Sequence, residues 1–367
     1  MPQCIYSLIN DDDSKFSKQE HVFPACIGGI HKLPKGCVSD KINEMFSPLE
    51  LIFARESPIS ISRMFTGPGK RGSLNPKKAT SSKITVMTKS TDKKATLGFI
   101  KGGVPHVINQ IRYSDNFDIP KQIHISLEPD YDKMTEEILS NFWKQLETYN
   151  NSPTVLKHST LQGNEHIWGF YNNKSYLAID KKCNGEEAKK SANAFVKILL
   201  DAKEKDKINM DNNFAYTQDQ VEAHFEMAFS MPDYFRIVAK TAFNSLTYLK
   251  GSSFVLNKMF DTTRQAIYSG KDIEKYVKMT SDDKFLSQML KSPHALQFGR
   301  NFHAVIISHF QSFLVAAVCF YGLKNPIFVV LTDKFEGQWR DPDGIVCDWE
   351  HKKEIDLIEF ITKICGH

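Results

Sequence analysis

Apolar residues recur at helical spacing through the middle of the chain. Over residues 135–149 they fall at Ile138, Leu139, Phe142 and Leu146, and over 186–203 at Ala192, Phe195, Val196, Leu199 and Leu200. Each pattern predicts an amphipathic helix. From 218 to 250 the period continues through Phe225, Ala228, Phe229, Tyr234, Ile237, Val238, Ala242, Phe243 and Leu246, with Pro232 opening a new helix, and 257–269 carries it on. The middle therefore reads as helical, its aromatic stripes as core. On either side the period drops towards two: 84–88, 95–100 and 106–111 predict strands joined by hairpins, with Gly102-Gly103 as a turn and a further strand at 122–126. Residues 303–308, 312–321 and 325–331 predict three more strands, and 354–364 a closing helix.

The first 55 residues have their own rhythm. A short strand is expected at 4–8, an acidic turn at 11–14, and a second strand at 16–23 that Pro24 and Gly28-Gly29 end. Ser39 is placed to cap a helix whose inner face carries Ile42, Met45 and Phe46. Ser47-Pro48-Leu49-Glu50 has the form of a capping box, so a second helix is expected from there. The fold class that follows is α+β in three parts: a compact module at 1–55, a basic β-rich segment at 56–128, and a mixed helical and strand domain at 129–367.

Composition changes the picture little: of 367 residues 41% are apolar and 25% charged, as in an ordinary globular protein. The longest apolar run, 313–321, is far short of a membrane span, and the N-terminus has no secretory pattern, so a cytoplasmic protein is expected. Seven cysteines without a Cys-x-x-Cys pair read as reduced thiols. Charge changes the picture more. Between Arg55 and Arg112 stand twelve Lys or Arg against Glu56 and Asp92, so that segment carries +10 within a chain of net charge +4. Such a polarity suits tracking a phosphate backbone. Within it, 67–78 is rich in Gly, Pro and Lys and reads as a flexible arm, with Arg63, Lys70, Arg71, Lys77 and Lys78 as the expected DNA contacts. Its glycine spacing is not that of a nucleotide-binding P-loop.

Candidate chemistry concentrates earlier. Glu20 and His21 are adjacent at the expected end of a strand, where neighbouring side chains leave on opposite faces, and Asn43 follows on the expected helix. A carboxylate and an amide oxygen suit Mg²⁺ or Mn²⁺, and the imidazole is then free to take a proton from water.

The blocks Glu20-His21-Val22-Phe23-Pro24 with Gly28-Gly29, and Asp40-Lys41-Ile42-Asn43-Glu44 with Phe46-Ser47, resemble the HNH (His-Asn-His) nucleases of ββα-metal fold, over roughly the first sixth of the chain. The resemblance implies His21 as general base, Glu20 and Asn43 as metal ligands, and phosphodiester hydrolysis in DNA, one strand per site. It also implies a place in bacterial antiviral or restriction-type defence, with partner proteins of such a system. A homodimer would supply the two sites that double-strand cutting needs.

Two departures stand out. The four cysteines that hold a structural zinc in this branch are reduced to Cys4 within Cys4-Ile5-Tyr6-Ser7 and Ser39-Asp40-Lys41-Ile42, so zinc is not expected and packing must hold the module. The middle Asn of the family has no counterpart between His31 and Val38. The second reading is accordingly a decayed module that binds nucleic acid without cutting it. Cys4, Cys26 and Cys37 with His31, and His303, His309 and His351 with Asp341, Asp343 and Asp348, are weaker metal candidates.

Overall fold

The computed structural model describes residues 2–10, 14–89, 94–114, 124–126, 135–148, 152–161, 163–204, 221–223, 225, 229–279, 298–322, 326–340 and 342–365. The fold is mixed α+β, and its contacts gather into two compact units. These do not follow the expected boundaries at 55 and 128. One unit joins Met1–Thr80 to Met227–His367, and the other is Ser81–Glu226, inserted between the two halves of the first. Among the described residues no helix is long and apolar enough to cross a membrane.

The chain opens differently from expectation. Residues 4–8 form a turn rather than a strand, closed by a bridge between Gln3 and Asn10 and by Leu8 N–H donating to Cys4 O at 2.9 Å. Extended backbone at 20–22 meets 31–33 in a minimal antiparallel pair around the His21–Lys32 bridge. Val22 N–H donates to His31 O at 2.9 Å, and Leu33 N–H to Glu20 O at 2.8 Å. Helix α1 (Asp40–Glu56) follows as one helix with Pro48 inside it, not as two. Ser47 and Pro48 lie on its exposed side, where water can meet the carbonyl that proline leaves without an amide. Ile42, Phe46 and Phe53 bury the opposite face and carry the helix across the proline. After α2 (Ile59–Thr66), residues 67–78 are folded into two single 3₁₀ turns, Lys70–Gly72 and Pro76–Lys78, and are not a free arm.

Among its described residues the inserted unit has two sheets. Strands β1 (Thr85–Lys89), β2 (Ala95–Lys101) and β3 (Val104–Val107) build the first and β4 (Asn109–Ser114) and β5 (His124–Ser126) begin the second. The single strand expected at 106–111 is thus bent at Ile108 and shared between two sheets. Helix α3 (Thr135–Thr148) leads into β6 (Thr154–His158), β7 (Glu165–Tyr171) and β8 (Lys174–Asp180), then α4 (Gly185–Glu204) and β9 (Val221–Ala223). The middle is therefore not wholly helical. Asn172 and Asn173, both with left-handed φ, make the tight turn joining β7 to β8. The sheets run β3-β2-β1-β9 and β5-β4-β7-β8-β6, all antiparallel save the parallel pair β6–β8. Phe142, Trp143, Phe195 and Val196 of the helices pack with Trp168, Phe170, Leu177 and Ile179, while Val86, Leu97, Phe99, Ile108 and Ile167 form another apolar cluster.

In the first unit α5 (Met231–Lys250) is the spine. Ser230 Oγ caps it by accepting from Asp233 N–H at 3.3 Å, Pro232 sits in its first turn, and every residue from Tyr234 to Leu246 except Arg236 is buried. After α6 (Ser252–Val255) and α7 (Asp261–Ser269), strands β10 (Val277–Met279), β11 (Phe302–Phe310), β12 (Phe313–Cys319), β13 (Ile327–Thr332), β14 (Asp343–Asp348) and β15 (Lys353–Asp356) form an antiparallel sheet in the order β10-β13-β12-β11-β14-β15. It precedes α8 (Leu357–Cys365). Along β11 the alternation sends Val305 and Ile307 towards α5 and Ala304 into the cluster with Leu357 and Phe360 of α8. Tyr6, Val22, Phe23, Ile42 and Phe46 share one core with Ile237, Phe243, Val305 and Ile345. The first 55 residues are thus not a core of their own.

Candidate active site

The extended pair at 20–33 is fastened to α5 by a stripe of three side chains, each four residues beyond the last. Lys240 Nζ donates to Glu20 Oε1 at 2.7 Å, Asn244 Nδ2 donates to His21 O at 2.8 Å, and the Tyr248 ring stacks on His31 with centroids 5.2 Å apart. Residues at this spacing share one face of a helix. Tyr6 Oη completes the set by donating to Asn244 Oδ1 at 2.6 Å.

Glu20 is buried, and its Oε1 also accepts from His21 N–H at 3.0 Å. Lys240, only 2% exposed, has a second carboxylate partner in Glu50 Oε1 at 2.6 Å and lies 5.2 Å from the centre of the Phe46 ring. Burial disfavours its ammonium, but the charges of Glu20 and Glu50 and the bonds to them outweigh that and raise its pKa above the lysine range. Glu20 and Glu50 therefore share one buried, permanently charged cation.

His21 is half-buried. Desolvation first, then the charge of Lys32, holds its imidazole below the usual histidine range, so it is neutral near pH 7 and able to accept a proton. Asn43 stands two turns before Glu50 on α1, half-buried, and its Nδ2 is buried without a hydrogen-bond partner. Among the described residues no hydrogen bond joins Asn43 to Glu20 or His21. The structure thus brings Glu20 and His21 together with Lys240, Asn244 and Glu50, and it does not link Asn43 to them.

The turn after His21 is positioned from the far end of the chain. A Cβ on Gly29 would lie 1.9 Å from Phe23 O, so only glycine fits there. His303 Nε2 donates to Ile27 O at 2.9 Å while its Nδ1 accepts from Tyr321 N–H at 3.0 Å, and full burial lowers its pKa to about 4. Ile30 N–H donates to Glu354 Oε1 at 2.6 Å. Glu354 Oε2 is buried without a hydrogen bond, 3.6 Å from His31 Nδ1, and burial raises the acid to about 7.

The expected DNA contacts divide into two kinds. Arg63 is buried, its guanidinium donating to Pro68 O at 3.1 Å and Gly69 O at 2.8 Å, so it folds the loop and does not face a ligand. Lys70, Arg71, Lys77 and Lys78 are exposed. Their loop packs on the turn that follows His21: a Cβ on Gly72 would lie 2.9 Å from Ala25 O. The charges of the +10 segment divide at Thr80 between the two compact units.

The weaker metal candidates do not assemble. Cys4, Cys26 and Cys37 are free thiols, and Cys4 Sγ accepts from Ser39 N–H at 3.5 Å within the apolar core. His303 has both nitrogens engaged, Asp343 Oδ2 is held by Lys250 at 2.7 Å, His351 pairs with Asp348 at 2.8 Å, and Asp341 lies outside the described residues. Among the described residues no group of three His, Cys, Asp or Glu side chains could hold a metal ion.

Compared with protein-family models, curated proteins and solved structures, the chain matches none. Glu20 and Asn43 as they stand do not fit the Mg²⁺ or Mn²⁺ that the HNH resemblance implies: a buried ammonium holds the carboxylate, and the amide is not bonded to it. The sequence left Lys240, Asn244, Tyr248 and Glu354 unmarked. For the first two a signal existed, since Lys240 and Asn244, four residues apart, continue a polar stripe with Asp233, Arg236 and Thr247 along a helix whose other positions are mostly apolar.

Proposed function

We propose that the chain acts on DNA as a phosphodiester hydrolase of the HNH type, with His21 as general base. The observation that carries this is the neutral imidazole of His21, anchored through its own carbonyl to Asn244 and followed by a turn against which the exposed Lys70–Arg71 loop packs. The imidazole takes a proton from water as the water oxygen bonds to phosphorus. The phosphorus–oxygen bond to the sugar breaks, and the departing oxygen gains a proton from solvent. Lys70, Arg71, Lys77 and Lys78 hold the flanking phosphates.

A second reading, a phosphate-binding module without hydrolysis, is favoured by the Lys240–Glu20 pair, which occupies the carboxylate the family gives to its metal. Supercoiled plasmid incubated with the full chain, in Mg²⁺, in Mn²⁺ and in EDTA, separates the two. Nicking by the wild type that falls by two orders of magnitude or more in His21→Ala is the expected result. Intact plasmid in every condition, with DNA retained on a gel, supports the binding module. Equal nicking by both proteins moves the chemistry away from His21.

A further inference from the structure

A site that the HNH resemblance gives to a divalent ion already contains a positive charge. Glu20 and Glu50 come from separate elements, the extended segment at 20–22 and α1, and both turn their carboxylates onto one nitrogen, at 2.7 and 2.6 Å. That nitrogen belongs to a residue 220 positions after Glu20 and is itself almost wholly buried. The Phe46 ring covers it from another side.

We infer that the Lys240 ammonium is the resident cation of this site and stands in place of a divalent ion, so that the protein binds no Mg²⁺ or Mn²⁺ at Glu20. Three observations carry this. A divalent ion needs six oxygen ligands near 2.1 Å, in round terms, and keeps several waters, and the buried space between these carboxylates holds an ammonium and an aromatic ring instead. A second cation within reach of Glu20 Oε1 would stand a few ångströms from Lys240 Nζ, where like charges in a buried setting repel strongly. The same helix holds the His21 carbonyl through Asn244, so one rigid element sets the charge beside the imidazole and the position of its backbone. Lys240 is buried away from any substrate phosphate and is a positioning residue, not a catalytic one. The two carboxylates and one ammonium sum to a single negative charge. Removing the ammonium leaves two, the natural complement of a divalent ion.

This deepens the hydrolase reading and rests on it in one arm only. Full-length wild type, Glu20→Gln, Lys240→Met and the Lys240→Met/Glu20→Gln double variant are titrated with Mn²⁺, and the electron paramagnetic resonance signal of free Mn²⁺ is followed, with circular dichroism as the check on folding. Wild type and Glu20→Gln should give the same curve. Lys240→Met should gain one site at least tenfold tighter than any in the wild type, and the double variant should lose it. Mn²⁺ binding in the wild type that Glu20→Gln weakens would overturn the inference, as would a folded Lys240→Met with no added site. If Lys240→Met folds only when Mn²⁺ is added, that supports it. If it does not fold at all, the wild-type and Glu20→Gln curves decide alone. In the arm that rests on hydrolysis, nicking that persists in EDTA is expected, and nicking that needs Mg²⁺ and vanishes in Glu20→Gln goes against the inference. Absence of cutting in every condition would sink the hydrolase reading and not this one, which the Mn²⁺ curves settle.

Discussion

The two compact units bury polar groups in very different ways. Among the described residues the inserted unit buries Thr88, Gln110, His166 and Ser175 but no Asp, Glu, Lys or Arg. The other unit buries Glu20, Arg63, Lys240, Arg264, Asp343 and Glu354. Taking a charge from water costs several kcal/mol unless partners repay it, so a stable core gains little from such groups. Four of the six (Glu20, Arg63, Lys240 and Glu354) bear on the segment from Glu20 to Ile30 or on the basic loop packed against it. The contrast teaches that stability is conceded where backbone position matters, a pattern typical of functional sites.

The largest test of that contrast is Lys240→Ala. It strips the buried Glu20 and the half-buried Glu50 of their cation and should cost about 3–5 kcal/mol, read as the unfolding transition of the first unit in urea. An unchanged midpoint would mean that the pair is not formed in solution. The next test is pH. His303, held at about 4 against an unfolded value of 6.5, makes the fold lose stability as pH falls from 6.5 towards 4. Glu354, raised to about 7 against 4.5, acts oppositely and makes the fold lose stability as pH rises from 4.5 towards 7. Each effect is worth about 3 kcal/mol, and in the wild type they nearly cancel between pH 4.5 and 6.5. Glu354→Gln should expose the histidine alone, turning a flat profile into one that loses about 3 kcal/mol on acidification. A profile that stays flat would remove the buried His303 from the account.

Gln110→Ala sharpens the other side of the comparison. Its amide receives Leu97 N–H at 2.7 Å and donates to Leu97 O and Ile108 O, where the chain passes from one sheet to the other. The loss should be about 1–3 kcal/mol, confined to the inserted unit. The smallest effect on folding is expected from Lys77→Ala with Lys78→Ala. Both are exposed, so stability should stay within about 0.5 kcal/mol. DNA affinity should fall, and the slope of its logarithm against that of salt should flatten by about 2. An unchanged slope would take these lysines off the binding surface.

Much of the fold was legible in the sequence because its periodicities are local. Residues 84–88, 95–100 and 303–308 alternate as strands, and 135–149, 186–203 and the run after Pro232 repeat as helices. The strands at Thr154–His158, Glu165–Tyr171 and Lys174–Asp180 lie outside the expected elements, although Asn172-Asn173 is a turn signal between apolar runs. Pro48 and the capping-box pattern misled about α1, where buried Phe46 and Phe53 outweigh a local stop signal. At the site, adjacency in sequence marked Glu20 and His21. It could not mark Lys240, because nothing local tells that a lysine on a core helix will meet a carboxylate 220 residues earlier. Arg63 erred the other way: a base within a basic stretch looks like a phosphate ligand until its guanidinium is seen closing its own loop on Pro68 and Gly69.

The insertion of Ser81–Glu226 between the two halves of the first unit sets an order of events on the ribosome. The opening 80 residues emerge with Glu20 and Glu50 lacking a counter-ion, and they stay so until Lys240 has been added. At about 5–20 residues per second that delay is roughly ten to forty seconds. The inserted unit is contiguous in sequence, so all of it is made before Lys240 is added. Until α5 is made, the segment carrying His21 lacks the contacts from Lys240, Asn244 and Tyr248 that fasten it in the complete fold.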